Sequence, residues 1–268
     1  MTTLRMGFCG GCLSHQRDIP LNQLFYRILS RRLAEQYGVE VRLVISRHFE
    51  ARAPERVAQL VKDGIDLLVL HVRSLPAVPN ARWIAKEVSG GKARLRLNSR
   101  FVMARRFPAL GRLKLDYPLP PAAGAGSDDL AEDSYSRGSL ANQINVAAGL
   151  ILGVASEAIQ ETLEDTLAAL HVIRDAGVPF FVMGPPPSTQ AGLPGRMVCE
   201  RLNRAMRRSS ALLGFPYVDL FPGWDDGYLM WDGLHLNSGG HRHIAERLRV
   251  EIGEGITAVA RQREAPSP

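Results

Sequence analysis

The sequence has little cysteine and no long apolar run. The first shortage argues against a disulfide-rich protein, and the second argues against a membrane-spanning protein. Its 268 residues include three cysteines, Cys9, Cys12 and Cys199. This small and odd number argues against a disulfide framework and favours a reducing, cytoplasmic compartment. No stretch of 18 apolar residues occurs, so we expect no membrane-spanning helix. The opening residues also lack the apolar centre of a signal peptide.

Acidic residues are almost missing from one segment, which makes that segment strongly basic. Between Arg82 and Lys114, ten lysines and arginines accompany a single acid, Glu87, although the whole chain has a formal net charge of only +6. Such a segment suits anionic groups, such as a carrier-bound substrate, an anionic glycan or an acidic lipid head group. The alternative is a solvated insertion. Aromatic residues for base stacking are too sparse there to favour nucleic acid.

Hydrophobic periodicity predicts strands and helices that alternate along the chain. Strands are predicted at residues 3–9, 39–45, 66–72, 178–183 and 216–220, and helices at about 20–37, 55–62, 80–88, 142–176, 195–213 and 238–261. Pro20 and Ser238 are predicted to begin the first and last helices, Ser238 as an N-cap.

This alternation predicts a three-layer α/β/α sandwich around a central, mostly parallel sheet. The almost continuously apolar strand at 66–72 is typical of a parallel sheet that is covered on both faces. We expect one domain over residues 1–262, with a basic insertion and a mobile loop at about 91–140. Residues 263–268 are expected to form a disordered tail.

Two short motifs are expected at one edge of this sheet. Gly11 and Cys12 follow the first strand, whereas Asp232 and His235 lie between the last strand and the final helix. Active sites of parallel sheets form beyond the carboxyl ends of the strands, where both motifs are predicted. A carboxylate near a histidine can orient the imidazole as an acid–base group. A cysteine at a helix N-terminus beside a histidine forms a reactive thiolate.

These motifs carry a resemblance to a known family. Gly10-Gly11-Cys12-Leu13 after the first strand, with Asp232-Gly233-Leu234-His235 before the last helix, resembles the SGNH/GDSL hydrolase superfamily. Members of that family have a Gly-Asp-Ser-Leu block at the first strand-to-helix turn and an Asp-x-x-His block near the C-terminus. The resemblance implies a flavodoxin-like sandwich and an esterase or acyltransferase. It implies that Cys12 stands at the nucleophile position, with His235 as the base and Asp232 as its orienting carboxylate.

The middle blocks of that family differ in this sequence. The resemblance implies a Gly-x-Asn-Asp segment after the strand at 66–72, whose asparagine donates to the oxyanion, and a glycine donor after the second strand. Arg73-Ser74-Leu75-Pro76 and Ser46-Arg47-His48 stand at those places. The guanidinium of Arg73 offers several donors and a fixed charge, so it can act with Gly11 and the Cys12 backbone N–H as the oxyanion hole. The alternative is that Arg73 pairs with a surface carboxylate.

The sequence leaves other assignments open. Cys9 competes as the nucleophile because Gly7-Phe8-Cys9 is also Gly-x-Cys, and Ser14 is a further candidate for the nucleophile or for substrate binding. Cys9 and Cys12 also form a C-x-x-C pair, which is typical of a redox turn. A zinc site built from them and His15 lacks a fourth ligand, and we expect neither metal nor cofactor.

The leading hypothesis is therefore acyl transfer from a small-molecule, glycan or lipid ester, through a Cys-His-Asp site. The alternative of a different class is a binding protein that keeps the fold without the chemistry.

Overall fold

The structure, a computed structural model, describes residues 3–11, 13, 19–47, 52–73, 143, 146–147, 154–189, 192–230 and 233–264. The helix expected at 80–88, the basic segment 82–114 and the loop expected up to residue 140 lie outside the described residues, as does the end of the chain beyond 264.

Within the described residues, a sheet of five parallel strands forms the centre of the molecule. The strands are β1 (Thr3–Gly10), β2 (Glu40–Arg47), β3 (Leu67–His71), β4 (Phe180–Met183) and β5 (Tyr217–Val218). Their spatial order is β2-β1-β3-β4-β5. This is the flavodoxin-like order, in which a crevice opens between β1 and β3 where the direction of winding reverses.

Helices cover both faces of the sheet, which confirms the predicted three-layer sandwich. The long helices are α1 (Phe25–Tyr37), α2 (Ala53–Lys62), α3 (Val154–Asp175), α4 (Gly192–Leu213) and α5 (Ser238–Glu264). Helices α1 and α5 pack together on one face, and α2, α3 and α4 form the other layer.

Side chains of β3 show why this strand is apolar up to its last residue, His71. Leu67 and Val69 lie in the core beneath α1 and α5, whereas Leu68 and Leu70 lie in the core beneath α2, α3 and α4. Successive strand residues point to opposite faces, so a strand between two helical layers buries every side chain.

The start of the first helix and the N-cap of the last were predicted wrongly, whereas α5 does begin at Ser238 as predicted. The helix expected from Pro20 begins at Phe25, because a 3-10 turn at Leu21–Gln23 and an extended Leu24 come first. The N-cap of α5 is Asn237 rather than Ser238: the Asn237 Oδ1 accepts hydrogen bonds from the N–H groups of the second and third residues of the helix. Gly38, by contrast, ends α1 in the left-handed conformation, with φ of 64°, as its position predicted.

Among the described residues, no helix is both long enough and apolar enough to cross a membrane.

Candidate active site

The ends of three neighbouring strands define the edge at which the site is expected. Strands β1, β3 and β4 are adjacent in the sheet and end at Gly10, His71 and Met183. Adjacent strands lie about 4.8 Å apart, so the outer two of these three ends are separated by roughly 10 Å. Residues that follow the three strands can therefore act on one substrate.

Arg73 and Gly11 meet at this edge. A Cβ atom on Gly11 would lie 2.5 Å from Nε of Arg73 and 2.8 Å from its Cδ, so the arginine stem lies directly over the glycine. A Cβ at position 11 would therefore force the Arg73 side chain to shift. Arg73 is only 7% exposed. The contact places a buried cation beside the residue that precedes Cys12.

His235 lies on a short hairpin between β5 and α5. Leu229 and Leu236 form an antiparallel bridge, and the Met230 N–H donates to the His235 carbonyl at 2.7 Å. The Gly233 N–H closes the turn on the Met230 carbonyl at 3.0 Å. Gly233 has φ of 67°, in the region that favours glycine. The His235 side chain is half-buried, and its backbone is fixed by this ladder.

The base of the hairpin is joined to the start of α5 through Asn237. Its Oδ1 caps the helix by accepting from the N–H groups of Gly239 and Gly240, at 2.9 and 3.1 Å. Its Nδ2 donates to the Gly227 carbonyl at 2.6 Å, and its backbone N–H donates to the Tyr228 carbonyl at 3.0 Å. The Asn237 side chain thus provides the acceptor for two N–H groups at the start of α5 and also binds the base of the hairpin. His235 is therefore held in a fixed position relative to α5.

The tip of the hairpin is held by the segment that follows β4. The Gly233 carbonyl accepts a hydrogen bond from the Ser188 hydroxyl at 2.9 Å and another from the Thr189 N–H at 2.8 Å. These contacts join the hairpin to β4, the strand next to β3. Sequence reasoning missed both donors. The only signal was their position immediately after Gly184-Pro185-Pro186-Pro187 at the end of a predicted strand.

Cys9 lies in an environment that suppresses thiol chemistry. It is fully buried in β1 and packs in the core beneath α2, α3 and α4. Burial raises the pKa of its thiol to about 12, against a smaller lowering by the nearby Arg56 guanidinium. Because the thiolate is the reactive form, this environment weighs against Cys9 as a nucleophile.

Three candidate residues, Cys12, Ser14 and Asp232, lie outside the described residues, so their roles stay predictions. Of the remaining candidates, the structure brings Gly11 and Arg73 together and fixes the backbone of His235. Within the described part of the chain, no three His, Cys, Asp or Glu side chains are arranged to hold a metal ion.

Several solved structures share this fold. The lipase/acylhydrolase from Enterococcus faecalis is 15% identical with a TM-score of 0.51, and the alignment covers 95% of this chain and 97% of that one. The lipase Lip_vut3 from a goat rumen metagenome is 13% identical with a TM-score of 0.52, over 92% and 97% of the two chains. The psychrotrophic esterase EstA from Pseudoalteromonas sp. is 9% identical with a TM-score of 0.51, over 94% and 98%.

These identities are low, so the likeness establishes the α/β sandwich and nothing finer. No protein-family model and no curated protein matches the sequence.

Proposed function

We propose that this protein is an acyl-ester hydrolase or acyltransferase in which Cys12 is the nucleophile, His235 the general base and Asp232 its orienting carboxylate. The observation that carries the proposal is the contact of the buried Arg73 with Gly11. It provides a cationic hydrogen-bond donor beside the expected nucleophile turn, where the charge of a tetrahedral intermediate would develop. Three solved structures with the same fold are a lipase/acylhydrolase, a lipase and an esterase, which is consistent with this chemistry.

Acylation begins when His235 accepts the thiol proton of Cys12 and the thiolate sulfur attacks the acyl carbon. The C=O electron pair moves onto oxygen, and the Cys12 backbone N–H and the Arg73 guanidinium stabilise the oxyanion. When the intermediate collapses, the C–O bond of the ester breaks and the alcohol leaves with the proton that His235 held. Asp232 stabilises the imidazolium between these two steps.

Deacylation repeats the sequence with a second nucleophile. His235 removes a proton from water or from an acceptor alcohol, whose oxygen attacks the thioester carbon. Collapse of this intermediate breaks the C–S bond, and the proton returns to the Cys12 sulfur. Water as the acceptor gives hydrolysis, and another alcohol gives acyl transfer. No redox change occurs, and every proton is returned.

The proposed substrate is a small-molecule, glycan or lipid ester that the protein meets in the cytoplasm. The ten basic residues between Arg82 and Lys114 favour substrates that are anionic or attached to an anionic carrier. The redox alternative is weakened because the buried Cys9 would have to form a disulfide with Cys12 from a thiol whose pKa is raised to about 12.

The experiment is steady-state cleavage of short acyl esters and thioesters by the wild-type protein and by variants. We expect Cys12→Ala and His235→Ala to abolish turnover, and Asp232→Asn to reduce it. Cys9→Ala is the matched control, because it removes a buried thiol three residues from Cys12. If Cys9→Ala is inactive and Cys12→Ala retains activity, the nucleophile is Cys9.

Alkylation of Cys12 by iodoacetamide tests the same site without a substrate. We expect Cys12 to react faster than a free thiol at neutral pH, and to slow in His235→Ala, because the histidine favours the thiolate. An inert Cys12 together with no turnover of any ester would show a binding protein with this fold.

A further inference from the structure

We propose that Ser188 is a positioning residue for His235 and acts through the carbonyl of Gly233. The inference rests on the proposed function, because it takes His235 as the base. It adds to the site a buried side chain from outside the motifs that carry the chemistry.

The contact is made in a buried setting. Ser188 is 3% exposed, and its hydroxyl donates to the Gly233 carbonyl at 2.9 Å. Within the described residues this carbonyl accepts one further hydrogen bond, from the Thr189 N–H at 2.8 Å. Two donors from consecutive residues fix the direction of the carbonyl as well as its position, since a single hydrogen bond tolerates a broad range of angles.

The segment that carries Ser188 is itself rigid. It follows β4 through Gly184 and three prolines, all of which are buried. The Gly184 N–H donates to the Val218 carbonyl at 3.0 Å, and the Tyr217 hydroxyl occupies the space where a Cβ of Gly184 would lie. Proline fixes φ near −65°, so a run of three leaves little backbone freedom before Ser188. The hydroxyl is therefore held in place by the sheet.

The Gly233 carbonyl, which accepts the Ser188 hydrogen bond, belongs to a peptide group whose rotation would change the position of His235. The peptide group of Gly233 and Leu234 lies just before His235 in the chain, so a rotation of this group moves the proposed base. Gly233, with φ of 67°, gives the turn no side chain of its own to resist such a rotation. The hydroxyl of Ser188 supplies that restraint from outside the hairpin.

The test compares two serines that make the same kind of bond. Ser210 also donates from its hydroxyl to a backbone carbonyl, that of Phe215, near the end of α4 and remote from His235 in the fold. We expect Ser188→Ala to lower kcat for short acyl esters by about 10- to 100-fold with KM little changed, as a misplaced catalytic group does. Each variant loses one hydrogen bond from a serine hydroxyl to a backbone carbonyl, so Ser188→Ala and Ser210→Ala should lower Tm by similar amounts. Ser210→Ala should leave kcat unchanged.

A second pair of measurements separates positioning from a general loss of structure. Ser188→Thr keeps the hydroxyl and should recover most of the lost kcat. Ser188→Ala should also slow the alkylation of Cys12 by iodoacetamide, because a displaced His235 supports the thiolate less well. An unchanged kcat and alkylation rate in folded Ser188→Ala would overturn the proposal, as would Ser188→Thr that folds but stays as slow as Ser188→Ala.

Failure of this inference can be told apart from failure of the proposed function. If Cys12→Ala and His235→Ala are inactive while Ser188→Ala keeps the wild-type kcat, only the role of Ser188 is wrong. If Cys12→Ala and His235→Ala both retain wild-type turnover, the proposed function fails, and the role of Ser188 fails with it.

Discussion

His241 gives this fold a sensitivity to mild acid that can be worked out from its surroundings. It lies in the first turn of α5 with no exposed surface, and its Nδ1 accepts the backbone N–H of Phe25 at 3.3 Å. Its ring stacks on the Phe25 ring, with centroids 6.0 Å apart and an angle of 6° between the planes. Burial lowers the pKa of His241 to about 4, from an ordinary value of 6.5. Protonation would destroy the acceptor and place a cation at the N-terminus of α1, which the helix dipole disfavours.

The sign of the effect follows from which state binds the proton first. As pH falls below about 6.5, the unfolded chain protonates this histidine while the folded protein does not, so the free energy of unfolding decreases. The loss stops near pH 4, where the folded state also binds the proton. Since one pKa unit corresponds to about 1.4 kcal/mol, the full loss is about 3 kcal/mol, of which roughly 2 kcal/mol is lost between pH 7 and pH 5.

The assay is urea unfolding at pH 7 and pH 5 for the wild type and for His241→Asn, which keeps an acceptor but cannot titrate. We expect the wild type to lose about 2 kcal/mol more than the variant over this interval, because the other titrating groups are common to both. His171→Asn, on the exposed side of α3, is the control for the same substitution outside the core.

Proton NMR of the wild type measures the titration of His241 directly, so this test does not require His241→Asn to fold. The His241 ring resonances should not titrate between pH 7 and pH 5. Titration near pH 6.5, or equal losses of stability in the wild type and His241→Asn, would refute the reasoning.

Two further predictions follow from close contacts. Gly11→Ala should displace Arg73 and lower kcat/KM on the order of 100-fold, as loss of an oxyanion donor does. In the Arg73→Ala variant, adding Gly11→Ala should lower kcat/KM little further. An equal loss of kcat/KM with and without Arg73 would contradict the contact. Asn237→Ala should lower the free energy of unfolding in urea by about 1–2 kcal/mol, whereas Ser238→Ala should lower it by less; the reverse order would restore Ser238 as the N-cap.

The sequence predicted the strands and layers well because periodicity is a local signal with a direct physical cause. The apolar run at 66–72 predicted the buried β3, and Gly38 predicted the end of α1. The start of α1 was missed because the acceptor for its first N–H comes from His241, on a helix far along the chain. The cap of α5 was missed because Asn237 and Ser238 are both good N-caps, and the bonds that decide between them involve the hairpin.

The sequence predicted the residues of the candidate site that belong to the two motifs, but not the contacts between these motifs and other strands. The Gly11 turn and the His235 turn were identified from residue type and order in the chain. Two contacts depend on which strands are neighbours in the sheet: the packing of Arg73 on Gly11, and the hydrogen bond from Ser188 to the Gly233 carbonyl. Strand order is a property of the whole chain, and no local pattern around position 73 or 188 specifies it.

The bond between Phe25 and His241 joins positions 216 residues apart, and this has a consequence for how the protein is made. During synthesis, α1 leaves the ribosome long before α5 exists, so the side of α1 that packs on α5 stays uncovered, and its first N–H has no His241 acceptor, until the last helix arrives. The hairpin that carries His235 depends on that same helix through Asn237. We therefore expect esterase activity in a refolding experiment to appear together with the docking of α5 onto α1.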